Sequence, residues 1–368
     1  MQKKKKAIIA FLGNINYDTR CFNLYNSLKE KNIEVQVVSF DWLTPDFKSK
    51  SGAITIYKLN KTNSSLWYYL KFFFLLSKKL ILNRADYYFA EDVYTLPIVT
   101  ICSILFRGKL YYDSRELYGH LAGLSKKKEI QSLLTLIEKV FIRFTDYVLV
   151  TGEMDADFLL QKYKGINTIL LRNLPGYKSE FDKIDLKKRF NILSQNKIIL
   201  YQGVILKGRG LLPIVNALSK IEGYSLLILG DGVYQRELTD FIDKNNLFGK
   251  VTFGGKVTQT ELLNFTASAE IGLAIIENIS LSYYYALPNK LFEYIMAEIP
   301  VIVSDLPQMK NIVEKYNVGV VVDPNRIEDL LKGLEQISDK YDYFKSNCIK
   351  AKKVLNWENE VNTLLRTL

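Results

Sequence analysis

Lys290 and Glu293 stand three residues apart, just after Pro288 and Asn289, in the stretch Pro-Asn-Lys-Leu-Phe-Glu-Tyr. On a helix, residues three and four apart share a face, so Asn289, Lys290 and Glu293 can meet one ligand. Pro288 fixes its own φ and keeps the preceding residue out of the α region, which suits a helix start. Asn289 is a favoured N-cap type. A helix start offers free N–H groups and a partial positive charge, and Lys290 adds a full one, so the tip suits a phosphate. A carboxylate one turn further on can accept sugar hydroxyls. Together these groups would hold a nucleotide-sugar. They also describe a well-capped helix with no ligand, and the rest of the chain has to separate the two readings.

Other candidates cluster after apolar runs. Gln202-Gly203 opens a turn through Lys207-Gly208-Arg209-Gly210, where three glycines and two cations suit a phosphate cradle. Gly230-Asp231-Gly232 and Gly254-Gly255-Lys256 follow two further runs. Upstream, Glu91-Asp92 and Asp113-Ser114-Arg115-Glu116 end two strand-like segments, and ligand groups in open α/β sheets gather at such ends. Glu91 and Asp92 also read as surface loop acids; Asp113 and Glu116, sharing a turn with Arg115, do so less well. His120 is the sole histidine, which excludes a multi-histidine metal site. Asp155-Ala156-Asp157 opens a helix, where acids complement the dipole, so it reads as structural and not as a metal motif.

The elements that must position these residues follow from the pattern. Ala7–Leu12 reads as a buried strand, Gly13-Asn14 as a turn open to a ligand, Cys21 to Leu28 as a helix, and Val35–Phe40 as a second strand. That order opens a doubly wound α/β domain, and the absence of a full dinucleotide fingerprint argues against a dehydrogenase. Residues 1–175 form a first domain, polar residues 176–196 a linker, and residues 197–355 a second α/β domain. A final helix from Lys353 carries Trp357. Two such units predict two facing domains with a cleft between them.

Composition sets outer limits. The 368 residues are 48% hydrophobic, enough for packed cores, and 50 basic against 39 acidic residues leave a net charge of +11, which favours anionic partners. The basic residues are dispersed without a recognition motif, which disfavours nucleic acid. Three scattered cysteines fit a reduced, cytoplasmic setting. No run reaches the roughly 18 apolar residues of a membrane span. Residues 66–82 instead mix Trp67, Phe74 and Leu75 with Lys71, Lys78 and Lys79, the makeup of a helix lying on an anionic bilayer or of a core helix with solvated lysines.

Taken together, the chain resembles the retaining glycosyltransferases of family 4, with the GT-B fold. The likeness rests on Tyr201-Gln202-Gly203 with Gly208-Arg209-Gly210-Leu211, on Leu229 to Gly232, on Phe253 to Val257, and on Pro288 to Tyr294 followed by Ile299 to Asp305. It spans nearly the whole chain, with Asp113 to Glu116 similar to an acceptor-side motif and the Trp357 helix similar to a tail (356–368) that crosses back to the first domain.

The resemblance implies roles. Arg209 and Lys290 would grip the donor diphosphate and carry the catalysis, aided by backbone amides around Asn289 and Lys290, with Leu291 also on the donor side. Glu293 would bind the ribose hydroxyls, and Lys256 and Val257 would meet the base through their backbone. Gly13, Gly203, Gly230, Asp231 and Tyr285 would complete the donor side. Asp113, Arg115, Glu116 and His120 would face the acceptor. The family's first glutamate, eight residues before the second, is here Tyr285; Arg115 stands where a histidine is common, and Glu298 replaces a small residue. The implied reaction needs no metal and no cofactor: a sugar passes from a UDP- or GDP-linked donor to a lipid-linked or growing surface glycan, by a protein peripheral on the membrane's inner face. Two alternatives are an epimerase of the same fold, disfavoured by Tyr285 and the lone His120, and a non-catalytic partner subunit, disfavoured by the intact Arg209 and Lys290.

Overall fold

The computed structural model describes residues 4–44, 47–60, 65–124 and 127–368. These divide into two compact units, residues 1–172 with 360–368, and residues 173–359.

The first unit is a seven-stranded sheet with strand order β3-β2-β1-β4-β5-β6-β7. Its strands are β1 (Lys6–Phe11), β2 (Glu34–Asp41), β3 (Ile54–Lys58), β4 (Tyr87–Ala90), β5 (Lys109–Ser114), β6 (Tyr147–Val150) and β7 (Thr168–Leu170). Every pairing is parallel. Parallel sheets are covered on both faces, so their strands run apolar without alternation, and Ala7 to Ala10 are all buried. The lysine-led N-terminal run is thus the first strand. The helices are α1 (Thr19–Glu30), α2 (Ser65–Leu82), α3 (Leu96–Phe106), α4 (Lys128–Phe141) and α5 (Glu153–Lys162). Asp18 caps α1 by accepting from the Cys21 N–H at 2.7 Å. Right-handed crossovers put α1 on one face of the sheet and α2 to α5 on the other. No helix among the described residues is long and apolar enough to cross a membrane.

The second unit is a six-stranded parallel sheet with order β10-β9-β8-β11-β12-β13. Its strands are β8 (Lys197–Gln202), β9 (Tyr224–Leu229), β10 (Val251–Gly255), β11 (Ile271–Ala274), β12 (Val301–Ser304) and β13 (Gly319–Val322). Its helices are α6 (Leu186–Arg189), α7 (Leu211–Leu218), α8 (Gln235–Lys244), α9 (Gln259–Thr266), α10 (Leu281–Tyr284), α11 (Asn289–Met296), α12 (Pro307–Tyr316), α13 (Ile327–Asp339), α14 (Tyr341–Ala351) and α15 (Trp357–Glu360). Two apolar clusters cover the sheet, one around Phe265, Leu291 and Ile312, the other around Ile214, Leu238 and Leu330.

Two segments differ from the sequence reading. Residues 176–196 are not a free linker: Leu186 and Ile192 are buried in the core of the second unit, and Ile184 packs against it. Nor do residues 353–368 form one helix. Asn356 acts as a side-chain cap, accepting from the Asn359 N–H at 3.0 Å, and two short helices follow, α15 and α16 (Asn362–Leu365). The chain passes back to the first unit at residue 360, a few residues after the expected start of the tail at 356.

Candidate functional site

Each sheet reverses its winding once, between β1 and β4 in the first unit and between β8 and β11 in the second. At such a point neighbouring loops leave the carboxyl ends of the strands toward opposite sides, and ligands bind where they part.

In the second unit this is where the cations stand. α11 is pinned by Tyr294, whose hydroxyl donates toward the Leu200 carbonyl at 3.0 Å and the Leu273 carbonyl at 3.2 Å and accepts from the Gln202 N–H at 3.2 Å. The Tyr294 ring fills the space over Gly272, where an added Cβ would meet it at 2.3 Å. So anchored, α11 brings Lys290 over the Tyr201 ring, with Nζ 3.6 Å from the ring centroid. Lys290 is buried and makes no salt bridge among the described residues. Its pKa is held well below the usual lysine value, first by burial and then by the Arg209 cation, with Glu293 opposing.

Arg209 is placed by the glycines on either side, both at positive φ, +82° and +69°. A Cβ on Gly208 would come within 2.7 Å of Ile279 Cδ1, and one on Gly210 within 2.2 Å of Ile275 Cγ2. Only glycine allows this turn, which lays the Arg209 guanidinium 4.8 Å from the centroid of Tyr283. Glu293, one turn along α11 from Lys290, accepts from Gln202 Nε2 at 2.5 Å. Gln202 is itself oriented, since its Oε1 accepts from the Thr266 hydroxyl at 2.8 Å. Burial raises the Glu293 pKa, while Gln202 and Lys290 pull it back.

The expected donor residues fall into three groups. Arg209, Lys290, Glu293 and Gly203 come together: a Cβ on Gly203 would stand 3.6 Å from Lys290 Nζ. Gly230, Asp231 and Lys256 form a neighbouring rim, in which a Cβ on Gly230 would meet the Gly203 carbonyl oxygen at 2.0 Å, and Lys256 Nζ reaches Asp231 at 2.9 Å. The third group needs correction. Leu291 lies wholly in the apolar core and its N–H is taken by the Pro288 carbonyl at 3.1 Å, so it offers a ligand nothing. Val257 turns its side chain against the same core, which leaves its backbone, the part expected to meet the base, uncorrected. Asn289 is not the cap but the first helical residue, exposed, with Pro288 in the cap position. Tyr285 ends α10, and its carbonyl accepts from Nε2 of Gln308, on α12, at 2.5 Å.

In the first unit, the ends of β1, β4 and β5 carry a buried charge cluster. Arg115 donates to Asp18 at 2.6 Å, to Glu91, and to Asp113 at 3.2 Å, and its guanidinium lies 4.7 Å from the centroid of Phe11. The same ring occupies the space a Cβ on Gly13 would take, at 2.4 Å. Both Asp113 oxygens also accept from Arg20, at 2.6 and 2.7 Å. Asp113 therefore holds two arginines and is buried, not presented to an acceptor. Glu91 and Asp92 are buried too, unlike surface acids. Burial pushes the Glu91 pKa up to about 8 against the pull of Arg115, and its Oε1 has no hydrogen-bond partner. Glu116 is exposed. His120 rests edge-on against Phe158 of α5, 5.4 Å between centroids, and the charges acting on it are Lys162 and Glu138, not the arginine cluster.

Sequence reasoning passed over Gln202 as a ligand-side group, Thr266, Asp18 and Arg20. The Tyr-Gln-Gly end of β8 was a usable signal for Gln202. Arg20 had none, because its partner lies 93 residues away. Among the described residues no group of three or more His, Cys, Asp or Glu is arranged to hold a metal ion.

Comparison with known proteins bears on this geometry. Residues 182–354 match the family model described as glycosyl transferases group 1. No curated protein sequence matches the chain. Solved structures match it nearly end to end. Sucrose-phosphate synthase from Thermosynechococcus elongatus superposes with a TM-score of 0.79 at 17% identity, over 99% of this chain and 98% of that one. Anabaena HepE in complex with UDP gives 0.70 at 13%, over 99% of both chains. The lipopolysaccharide outer core galactosyltransferase WaaB, in its apo form, gives 0.65 at 16%, over 99% of this chain and 100% of that one. These likenesses establish the fold as GT-B.

Proposed function

We propose that this protein is a retaining glycosyltransferase that takes a sugar from a nucleoside-diphosphate sugar. The observation that carries the reading is Lys290: a buried ammonium that makes no salt bridge among the described residues, beside a second cation, Arg209, at a helix start. A buried charge is normally paired, so an anion belongs there. A diphosphate would take both cations and the N–H groups of Asn289 and Lys290, and Glu293, held in place by Gln202, would accept the ribose hydroxyls. The match of this unit to glycosyl transferases group 1 and the UDP complex of a protein with the same fold support that ligand.

Departure of the nucleoside diphosphate builds negative charge on the leaving oxygen, and preorganised cations stabilise it without a metal. With Glu293 assigned to the ribose hydroxyls, the reading takes from the family resemblance a front-face attack with retention, the donor phosphate accepting the acceptor's proton. The acceptor is a lipid-linked or growing surface glycan, and the protein is peripheral on the cytoplasmic face of an anionic membrane, which residues 66–82 would contact. WaaB, named as a lipopolysaccharide enzyme, shares the fold and supports this choice.

The test is thermal shift against UDP-, GDP- and ADP-sugars, followed by isothermal titration of the best. Lys290→Ala should weaken binding at least about 30-fold, because a charged hydrogen bond to a phosphate contributes roughly 2 kcal/mol. Equal affinity in the variant would remove the donor assignment. Inverted configuration in the product would remove retention, and turnover of donor alone would mark an epimerase instead.

A further inference from the structure

α2, α3 and α4 lie side by side on one face of the first sheet, with α3 packed against both neighbours. Each turns an apolar row away from that sheet. α2 buries Tyr68, Phe72, Leu76 and Leu80, four apart, yet leaves Trp67 and Phe74 exposed at 70% and 66%. α3 leaves Ile101 and Ile104 exposed, and α4 does the same with Leu133, Leu136 and Val140, spaced three and four apart. A surface helix ordinarily presents polar residues to water. Of the 29 large hydrophobic side chains exposed among the described residues, 15 fall between Leu66 and Phe144, on these helices or the turn that ends α4. Concentration of this kind marks a surface with a partner.

The charges say which partner. Across residues 65–84, 96–107 and 127–144 there are nine lysines and arginines and two glutamates. One of the two, Glu138, is buried beneath Tyr112 and Tyr163, leaving Glu129 as the exposed acid. Arg84 lies 5.0 Å from the centroid of Phe106, so the cationic border runs continuously from the end of α2 to the end of α3. A second copy of this chain would set like charges against each other across a two-fold interface. An anionic bilayer offers an acyl boundary for the apolar rows and phosphates for the cations.

We propose that α2, α3 and α4 together form one face by which this protein lies on an anionic lipid bilayer. The inference rests on the membrane part of the functional reading and extends it from residues 66–82 to α3 and α4; the donor chemistry plays no part in it.

The experiment is flotation of the full chain with phosphatidylcholine vesicles, with and without about one third phosphatidylglycerol, at about 0.05 and 0.5 M salt. The expected result is capture by the anionic vesicles, reduced but not abolished at high salt because apolar contact is unscreened. Leu133→Glu with Leu136→Glu, which leaves residues 66–82 intact, should lower the bound fraction at least about tenfold. Wild-type resistance of the first unit to limited proteolysis, with an unchanged far-UV spectrum, reports that the variant is folded, and Ile104→Glu repeats the test on α3. Emission from exposed Trp67 in the unaltered chain should move to the blue on anionic vesicles. Absence of capture at low salt overturns the proposal, as does wild-type capture by both variants, which would confine contact to α2. So does a concentration-dependent dimer that the α4 substitutions dissociate. Failure of the unaltered chain to bind UDP would remove the donor reading and leave the vesicle result standing.

Discussion

A buried ammonium whose carboxylate neighbour does not offset its burial costs stability, and the chain keeps one at Lys290. Lys290→Met should therefore raise the stability of the ligand-free protein at neutral pH, by roughly 1–3 kcal/mol, while removing donor binding. Urea denaturation of both proteins checks this. The sign with pH follows from the depressed pKa. The native state holds fewer protons at Lys290 than the unfolded chain, so the cost is full at low pH and fades as pH rises toward the ordinary lysine value. A diphosphate needs the charged form, so UDP affinity should fall as pH rises through the depressed Lys290 pKa toward the ordinary lysine value, and calorimetry at several pH values tests it. Glu91 runs the other way. With its pKa raised from 4.5 to about 8, the native state holds the extra proton, so its contribution is fully present below about 4.5 and is lost as pH climbs to about 8. Glu91→Gln should flatten the fall in melting temperature over that window, and an unchanged slope would place the titration elsewhere. At this scale spacing put Lys290 and Glu293 on one helical face, and the resemblance supplied their expected roles. The sequence named Asp113 and Arg115 but hid their pairing, because the partners Asp18 and Arg20 at the start of α1 and Glu91 after β4 are distant in the chain.

Strand ends and the turns beyond them decide where those side chains stand. Gly203, Gly230 and Gly255 bring three neighbouring loops within backbone contact: the Gly203 N–H donates to the Leu229 carbonyl at 2.9 Å and the Gly230 N–H to the Gly255 carbonyl at 2.7 Å. Gly230 has φ of +137°, and any Cβ there would strike backbone, not a yielding side chain. Gly230→Ala should cost about 2 kcal/mol or more, with UDP affinity falling alongside, as read by thermal denaturation and titration. A neutral outcome would mean that the three loops move freely of one another. The glycine turns were legible because strand, glycine and helix follow one another closely. Segment 176–196 was misread because its polar composition masks Leu186 and Ile192, whose burial depends on a sheet formed later in the chain. Residues 353–368 were misread because the side chain of Asn356 ends one helical run and starts another, a local bond that periodicity does not register.

For the molecule as a whole, the fold class was readable from the repeated strand-helix order, whereas the return of the last residues to the first unit came from the family resemblance and not from local pattern, since it depends on contacts across the full length. Glu360 receives both the backbone and the guanidinium of Arg172, at 2.9 Å and 2.8 Å, and the Thr367 carbonyl accepts from Lys109 at 2.7 Å and from Tyr111 at 3.1 Å. Leu364 is fully buried. Removing residues 360–368 should destabilise the first unit by at least about 3 kcal/mol while the second keeps its UDP affinity, because the lost groups are a buried leucine and several paired carbonyls. Limited proteolysis would show the first unit cut first.

That return has a consequence during synthesis. Domains usually mature in the order in which they leave the ribosome. Here the unit that emerges first is finished only when residues 360–368 have emerged, after every residue of the second unit. Until then its sheet waits without the hydrogen bonds that Tyr87, Lys109 and Tyr111 make to the carbonyls of the last two residues, so the nascent chain should be most exposed to chaperones in its earliest-made half.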